Sequence, residues 1–210
     1  MNSALLALAD SRLPAGGHTH SGGVEQAIAA GVVTGPASLA TFLRRRLATS
    51  GAVAAGLAAE ACAAAGDADR LAELDAEADA RTPSPALRRA SRQQGRGLVR
   101  VGRRAWPSPS WDALPSCPHH PVALGVAAAA AGLRSPDAAQ AAAYLSISGP
   151  ATAAQRLLAM DPLTVAALTA RLAPEIDAVA AVDGLPATTD PLLDLLAEVH
   201  AARKDRFFAS

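Results

Sequence analysis

Helix starts are written in this chain in one repeated form, a small or polar residue followed directly by proline, at Gly35-Pro36, Ser84-Pro85, Ser135-Pro136, Asp161-Pro162 and Asp190-Pro191. Such a pair marks a helix start. The cap side chain accepts a free first-turn N–H, and proline at the first helical position has no N–H to lose. Between these starts the apolar residues recur at intervals of three and four, as in Leu192, Leu195, Leu196 and Val199, or Leu163, Ala167, Leu168 and Leu172. No stretch alternates over a strand's length, and β-branched clusters are scarce. The expected fold is all-α, a single-domain helical bundle over residues 1–210. Composition agrees: half of the residues are hydrophobic, yet only 3% are aromatic. The apolar content is mostly alanine, which has the highest helix propensity and lets helices approach closely.

Breakers divide the helices. Leu13-Pro14-Ala15-Gly16-Gly17 ends a first short helix and Gly22-Gly23 opens the second. The stretch from Pro107 to Pro118 reads as the longest loop, and Pro174 is expected to kink or split a helical run. The N-terminal run MNSALLALADSRLP lacks a basic leader region, and the longest apolar stretch, Val122 to Leu133, falls short of the roughly 20 residues that span a bilayer. Two cysteines, Cys62 and Cys117, imply no disulfide framework. The expected setting is the cytoplasm, without a membrane partner.

Formal net charge is zero, but it is segregated. Asp67 to Asp79 carries six acidic residues against Arg70, and Arg81 to Trp111 carries eight arginines and no acid. The two helices either fold back and pair their charges, or the arginine stripe of Arg89, Arg96 and Arg103 docks an acidic partner. Nucleic acid is not expected, since the aromatic side chains that stack bases are nearly absent.

Catalytic signatures are missing. The glycines around Gly16 and Gly22 are not followed by the Lys-Ser/Thr of a phosphate-binding loop, and the chain has one lysine, Lys204. No Gly-x-Ser-x-Gly element occurs, and Ser21 beside His20 is only a sequential pair. Metal ligands are the stronger temptation. His18 and His20 lie two apart, and Cys117-Pro118-His119-His120 gathers three donor side chains that suit nickel or zinc. The partners needed for a closed site are lacking, because Cys62 sits alone in an alanine-rich helix and reads as a small buried hydrophobe. No metal and no cofactor are therefore assigned, with Cys117, His119 and His120 as the candidates if a metal binds. His200 reads as a partner for its helix dipole.

Five blocks carry a resemblance to a known family. Leu5 to Gly17 looks like the N-terminal helix and turn of the urease accessory protein family UreF. His18-Thr19-His20-Ser21-Gly22-Gly23-Val24-Glu25 resembles its aromatic-Ser-x-Ser-x-Gly-Leu-Glu pattern. His120-Pro121-Val122-Ala123-Leu124-Gly125, Ala154-Gln155-Arg156-Leu157-Leu158 and Asp205-Arg206-Phe207-Phe208-Ala209-Ser210 follow in family order. The chain departs from the pattern at His18, at Thr19 and at Ser148-Gly149-Pro150, where Pro-Leu-Gly-Gln is usual.

The resemblance implies an all-α homodimer that is not an enzyme. It would bind the accessory protein UreD (also called UreH) and the GTPase UreG, act on apo-urease during nickel insertion and regulate GTP hydrolysis by UreG; since the residues of this chain offer no nucleotide site, that effect would act through the partner. Partner contact is expected in segment 1–25 and tail 203–210. The residues implied are Leu13, Pro14, Gly17, His20, Ser21, Gly22, Glu25, Gln155, Arg156, Arg206, Phe207, Phe208 and Ser210. Physical reasoning concurs for the tail, where Phe207 and Phe208, two of the three phenylalanines, sit at the extreme end and call for a covering surface. A nickel storage or transfer protein using His18, His20, Cys117, His119 and His120 is the alternative.

Overall fold

A computed structural model describes residues 3–10 and 12–210. Met1, Asn2 and Ser11, part of the segment expected to bind partners, lie outside the described residues. Among the described residues the chain is all-α, with eleven α-helices and no strand. In order they are α1 (Ser3–Leu8), α2 (Val24–Ala29), α3 (Pro36–Arg46), α4 (Ala52–Ala63), α5 (Ala68–Ala80), α6 (Pro85–Ala105), α7 (His120–Ala130), α8 (Ser135–Leu157), α9 (Pro162–Arg171), α10 (Ala173–Ala180) and α11 (Pro191–Ala202).

The cap–proline starts form as expected at α3, α6, α9 and α11. Ser84 accepts from Leu87 N, Asp161 from Leu163 N and Thr164 N, and Asp190 from Leu192 N. The fourth is shifted by one residue. Ser135 already lies in α8, Arg134 takes the cap position, and Asp137 Oδ2 reaches back to the Arg134 N–H at 3.0 Å. Pro174 splits a helical run, falling in the first turn of α10 directly after α9. The loop from Pro107 to Pro118 carries a short 3-10 turn, Pro109–Ala113, that seats Trp111 in the core.

Helix α4 is buried nearly all round, and its closest neighbours are α7 and α8. Alanine and glycine make this possible: a Cβ on Gly125 of α7 would strike the Ala58 carbonyl of α4. Two core clusters meet across α4 and α8. One gathers Leu57, Leu71, Leu98, Trp111 and Leu124; the other gathers Leu39, Leu43, Leu47, Ile147 and Leu172.

Two irregularities face each other across this core. The path from α3 to α4 is continuous, but Leu47–Gly51 is wound as a π turn. On the opposing helix, Pro150 sits inside α8 without breaking it. Proline cannot donate to the carbonyl four residues back. That carbonyl, of Ser146, is satisfied by Arg46 Nε at 2.8 Å.

Of the two readings of the segregated charge, the structure supports pairing, but narrowly. Arg92 alone reaches from α6 to α5, with Nη1 2.9 Å from Asp75 Oδ2 and Nη2 2.6 Å from Asp79 Oδ2. Arg89, Arg96, Arg100, Arg103 and Arg104 remain exposed. No helix among the described residues is long and apolar enough to cross a membrane.

Candidate functional site

The turn before α2 is shaped by Gly22 and Gly23, whose φ values of 61° and 88° fall where side chains are strained. Gly22 is constrained doubly. A Cβ there would lie 2.7 Å from Pro150 Cγ and 3.3 Å from Arg46 Cζ, so the turn rests directly on the irregular part of α8. The turn aims Ser21 and Glu25 inward, and both are buried.

The tail after α11 returns to this turn. Ala209 N donates to Thr19 O at 2.7 Å and Ser21 N donates to the Ser210 main-chain oxygen at 2.5 Å. His20 Nδ1 lies 2.6 Å from Ser210 Oγ. Glu25 is the central clasp. Its Oε1 accepts from Phe207 N at 2.8 Å, and its Oε2 accepts from Phe208 N and from His200 Nε2, each at 2.9 Å. Burial alone would raise the Glu25 carboxyl, but the donors from Phe207, His200 and Phe208 outweigh it and hold the group below the ordinary carboxylate value. Arg203 adds a bond from Nη1 to Gln26 Oε1 at 3.2 Å.

His200 lies in the last turn of α11, the position expected of a partner for the helix dipole, and it has a side-chain partner as well. Its ring is buried and spent on Glu25, a residue 175 positions away. The two terminal phenylalanines divide: Phe208 packs against the second core cluster, whereas Phe207 is 89% exposed.

Of the residues singled out from the sequence, Leu13, Gly17, His20, Gly22, Arg156, Phe208 and Ser210 line one cavity of about 1040 Å³. Ser21 and Glu25 fasten its wall, and Arg206 and Phe207 project outward. Pro14 is exposed on the turn, and Gln155 is half-buried near the end of α8. His120 enters the cavity although the sequence placed it with Cys117. Burial pushes the His120 imidazole down to about 4, helped by nearby His20, and His20 itself is lowered to about 4 by burial and by His18.

The Cys117-His119-His120 cluster does not assemble as a ligand set. His119 is buried, with Nδ1 3.0 Å from Ser91 Oγ and Nε2 2.9 Å from Asp79 Oδ1, so both ring nitrogens are engaged. Its backbone N–H donates to Asp75 Oδ1 at 2.7 Å. Cys117 Sγ meets Arg96 Nη1 at 3.6 Å instead. No group of three or more His, Cys, Asp or Glu side chains placed to hold a metal occurs among the described residues. Cys62 is a buried hydrophobe as expected, its thiol 3.7 Å from Leu133 O.

These features define an all-α protein whose N-terminal turn and C-terminal tail are fastened into one surface. Comparison with known proteins supplies the lineage. The UreF family pattern matches residues 33–173. The urease accessory protein UreF of Mycolicibacterium vanbaalenii is 53% identical over 98% of this chain and 97% of its own length. Proteins of the same name from Mycobacterium marinum and Mycobacterium tuberculosis are 53% and 48% identical with the same coverage. The chain belongs to the UreF family of urease accessory proteins. The family pattern includes the His120 and Gln155 blocks, whereas the fastened turn and tail lie outside it.

Proposed function

We propose that this protein is a non-catalytic cytoplasmic adaptor in the insertion of nickel into urease. It acts as a homodimer that bridges UreD (UreH) and the GTPase UreG on apo-urease, and it modulates GTP hydrolysis only through contacts with the GTPase. The observation that carries the reading is the clasp at Glu25. It holds the tail against the turn and leaves the Phe207 ring in solvent, where a large exposed ring is a natural anchor for a partner. Phe207, Arg206 and Pro14 would then contact UreD directly, with Leu13, Gly17, His20, Ser21, Gly22, Glu25, Phe208 and Ser210 supporting that surface. Gln155 and Arg156, at the end of α8, form a second contact point.

Co-purification tests it. Phe207→Asp is expected to abolish capture of UreD while the far-ultraviolet dichroism spectrum stays unchanged, since the ring has almost no contacts within the chain to lose. Full capture of UreD by the Phe207→Asp protein would remove the tail from the interface.

A further inference from the structure

The outer face of α6 carries charge that the fold leaves unanswered. Arg89, Gln93, Arg96, Arg100 and Arg103 are all exposed and follow one another at intervals of four, three, four and three, with exposed Arg104 beside the last. On an α-helix these positions fall within an arc of about 100° and run about 22 Å along the axis. The opposite face is buried through Ala86, Ala90, Gly95, Leu98 and Gly102, and its main neighbour is α7.

No acidic residue lies between Arg81 and Trp111 to balance the stripe. Of its arginines only Arg103 forms an ion pair among the described residues, with the exposed Asp112 at 2.7 Å. Arg100 stands three residues from Arg103 and four from both Arg96 and Arg104, and like charges at those separations repel on a helix. Elsewhere such crowding is relieved: Arg70 on α5 pairs with Glu60 and Glu73, and Arg92 of α6 itself pairs with Asp75 and Asp79. A row of unrelieved like charge contributes nothing to the fold, and its counter-charge has to come from outside.

The alternation of four and three residues is the spacing of a seam between two helices, filled here with cations where a coiled coil has apolar residues. Its complement is a helix that carries carboxylates at the same spacing, each met by a planar guanidinium able to bind both oxygens. Duplex nucleic acid fits less well. One side of α6 is sunk in the bundle, so it cannot enter a groove as a free helix does, and a net charge of zero gives no general attraction to phosphate. A membrane surface also fits less well, because the buried face of α6 is turned to the core and has nothing to insert.

We propose that the α6 arginine stripe is a docking site for an acidic helix of a partner protein. It shares no residue with the surface assigned to UreD, and its test needs no urease component, so its failure leaves the adaptor reading standing.

Calorimetric titration of the protein at about 50 mM salt tests it, with an alanine-based peptide of about 22 residues whose glutamates follow the same four–three spacing. A control peptide of equal composition has glutamate at every fifth residue, which spreads the charge around the helix. The four–three peptide should bind one-to-one and at least about fivefold more tightly than the control. Arg89→Glu/Arg100→Glu should weaken it by about tenfold or more. Neither side chain makes a hydrogen bond within the chain among the described residues, so the dichroism spectrum of that variant should match the parent's. Arg171→Glu, exposed on α9 and off the stripe, should bind as the parent does. Equal affinity for the two peptides, undiminished binding by the Arg89→Glu/Arg100→Glu protein, tighter binding of a DNA duplex of about 20 base pairs, or no peptide binding by about 1 mM would each overturn the assignment.

Discussion

Arg46 Nε donates to the Ser146 carbonyl at 2.8 Å, and that is the carbonyl from which Pro150, four residues later, withholds the usual helical bond. A side chain from one helix thus repairs a gap in another, and α8 passes through a proline without ending.

Substituting both residues exposes the coupling. Arg46→Met leaves a half-buried carbonyl unpaired and is expected to cost roughly 1–3 kcal/mol in urea unfolding. In a Pro150→Ala background the alanine N–H takes over, and the same substitution should cost at least about 1 kcal/mol less. Additive effects in the double mutant would mean that Arg46 supports α8 by packing alone.

The clasp at Glu25 supports a second expectation. Glu25→Ala leaves His200 buried without its partner and deprives the Phe207 and Phe208 amides of their acceptor. A loss of roughly 3 kcal/mol is expected, on the order of 6–12 °C in Tm for a chain of this size. The tail should also be released, so trypsin should cut at Arg203, Lys204 and Arg206 faster than in the parent protein. An unchanged cleavage rate would show that the main-chain bonds at Thr19 and Ser21 hold the tail unaided.

Acid should destabilise the protein in two windows. His20 and His120 have folded pKa values of about 4 against an ordinary 6.5, so the unfolded chain takes up protons first as pH falls. Their contribution is complete above pH 6.5 and is lost between there and 4. Glu25 is depressed, so its contribution is present above the ordinary carboxylate value of 4.5 and is lost as pH falls through its folded value. The midpoint of thermal unfolding, followed by circular dichroism, should fall across both ranges. His120→Gln should flatten the upper one and Glu25→Gln the lower.

What could be read from the sequence was local. The helix starts at Pro36, Pro85, Pro162 and Pro191 depend on a cap and its first turn, so neighbouring residues determine them. The split at Pro174 is equally short-range. The start of α8 slipped by one residue because Asp137 caps from within the helix and lets Arg134 serve where Ser135 was expected. Leu47–Gly51 and Pro150 carry no local signal for what they become. The π turn and the unbroken proline helix exist because each faces the other through Arg46 and Gly22. The candidate site was legible only as family-like blocks at the two extremes of the chain. That Glu25 fastens one to the other, and that His200 is its partner, depends on contacts 175 to 183 residues apart. The stripe of arginines was visible, but not that Arg92 alone would turn inward.

The distance between Glu25 and its amide donors along the chain has a consequence during synthesis. Glu25 leaves the ribosome well before the Phe207 and Phe208 N–H groups, which are made 182 and 183 residues later. While the rest of the chain is being translated, the carboxylate of α2 has no tail to hold, and the wall of the cavity beside it stays open. The clasp therefore closes only after the residues between its two halves have emerged, and any protein that reads this surface distinguishes a copy whose tail has joined the turn from one whose tail has not.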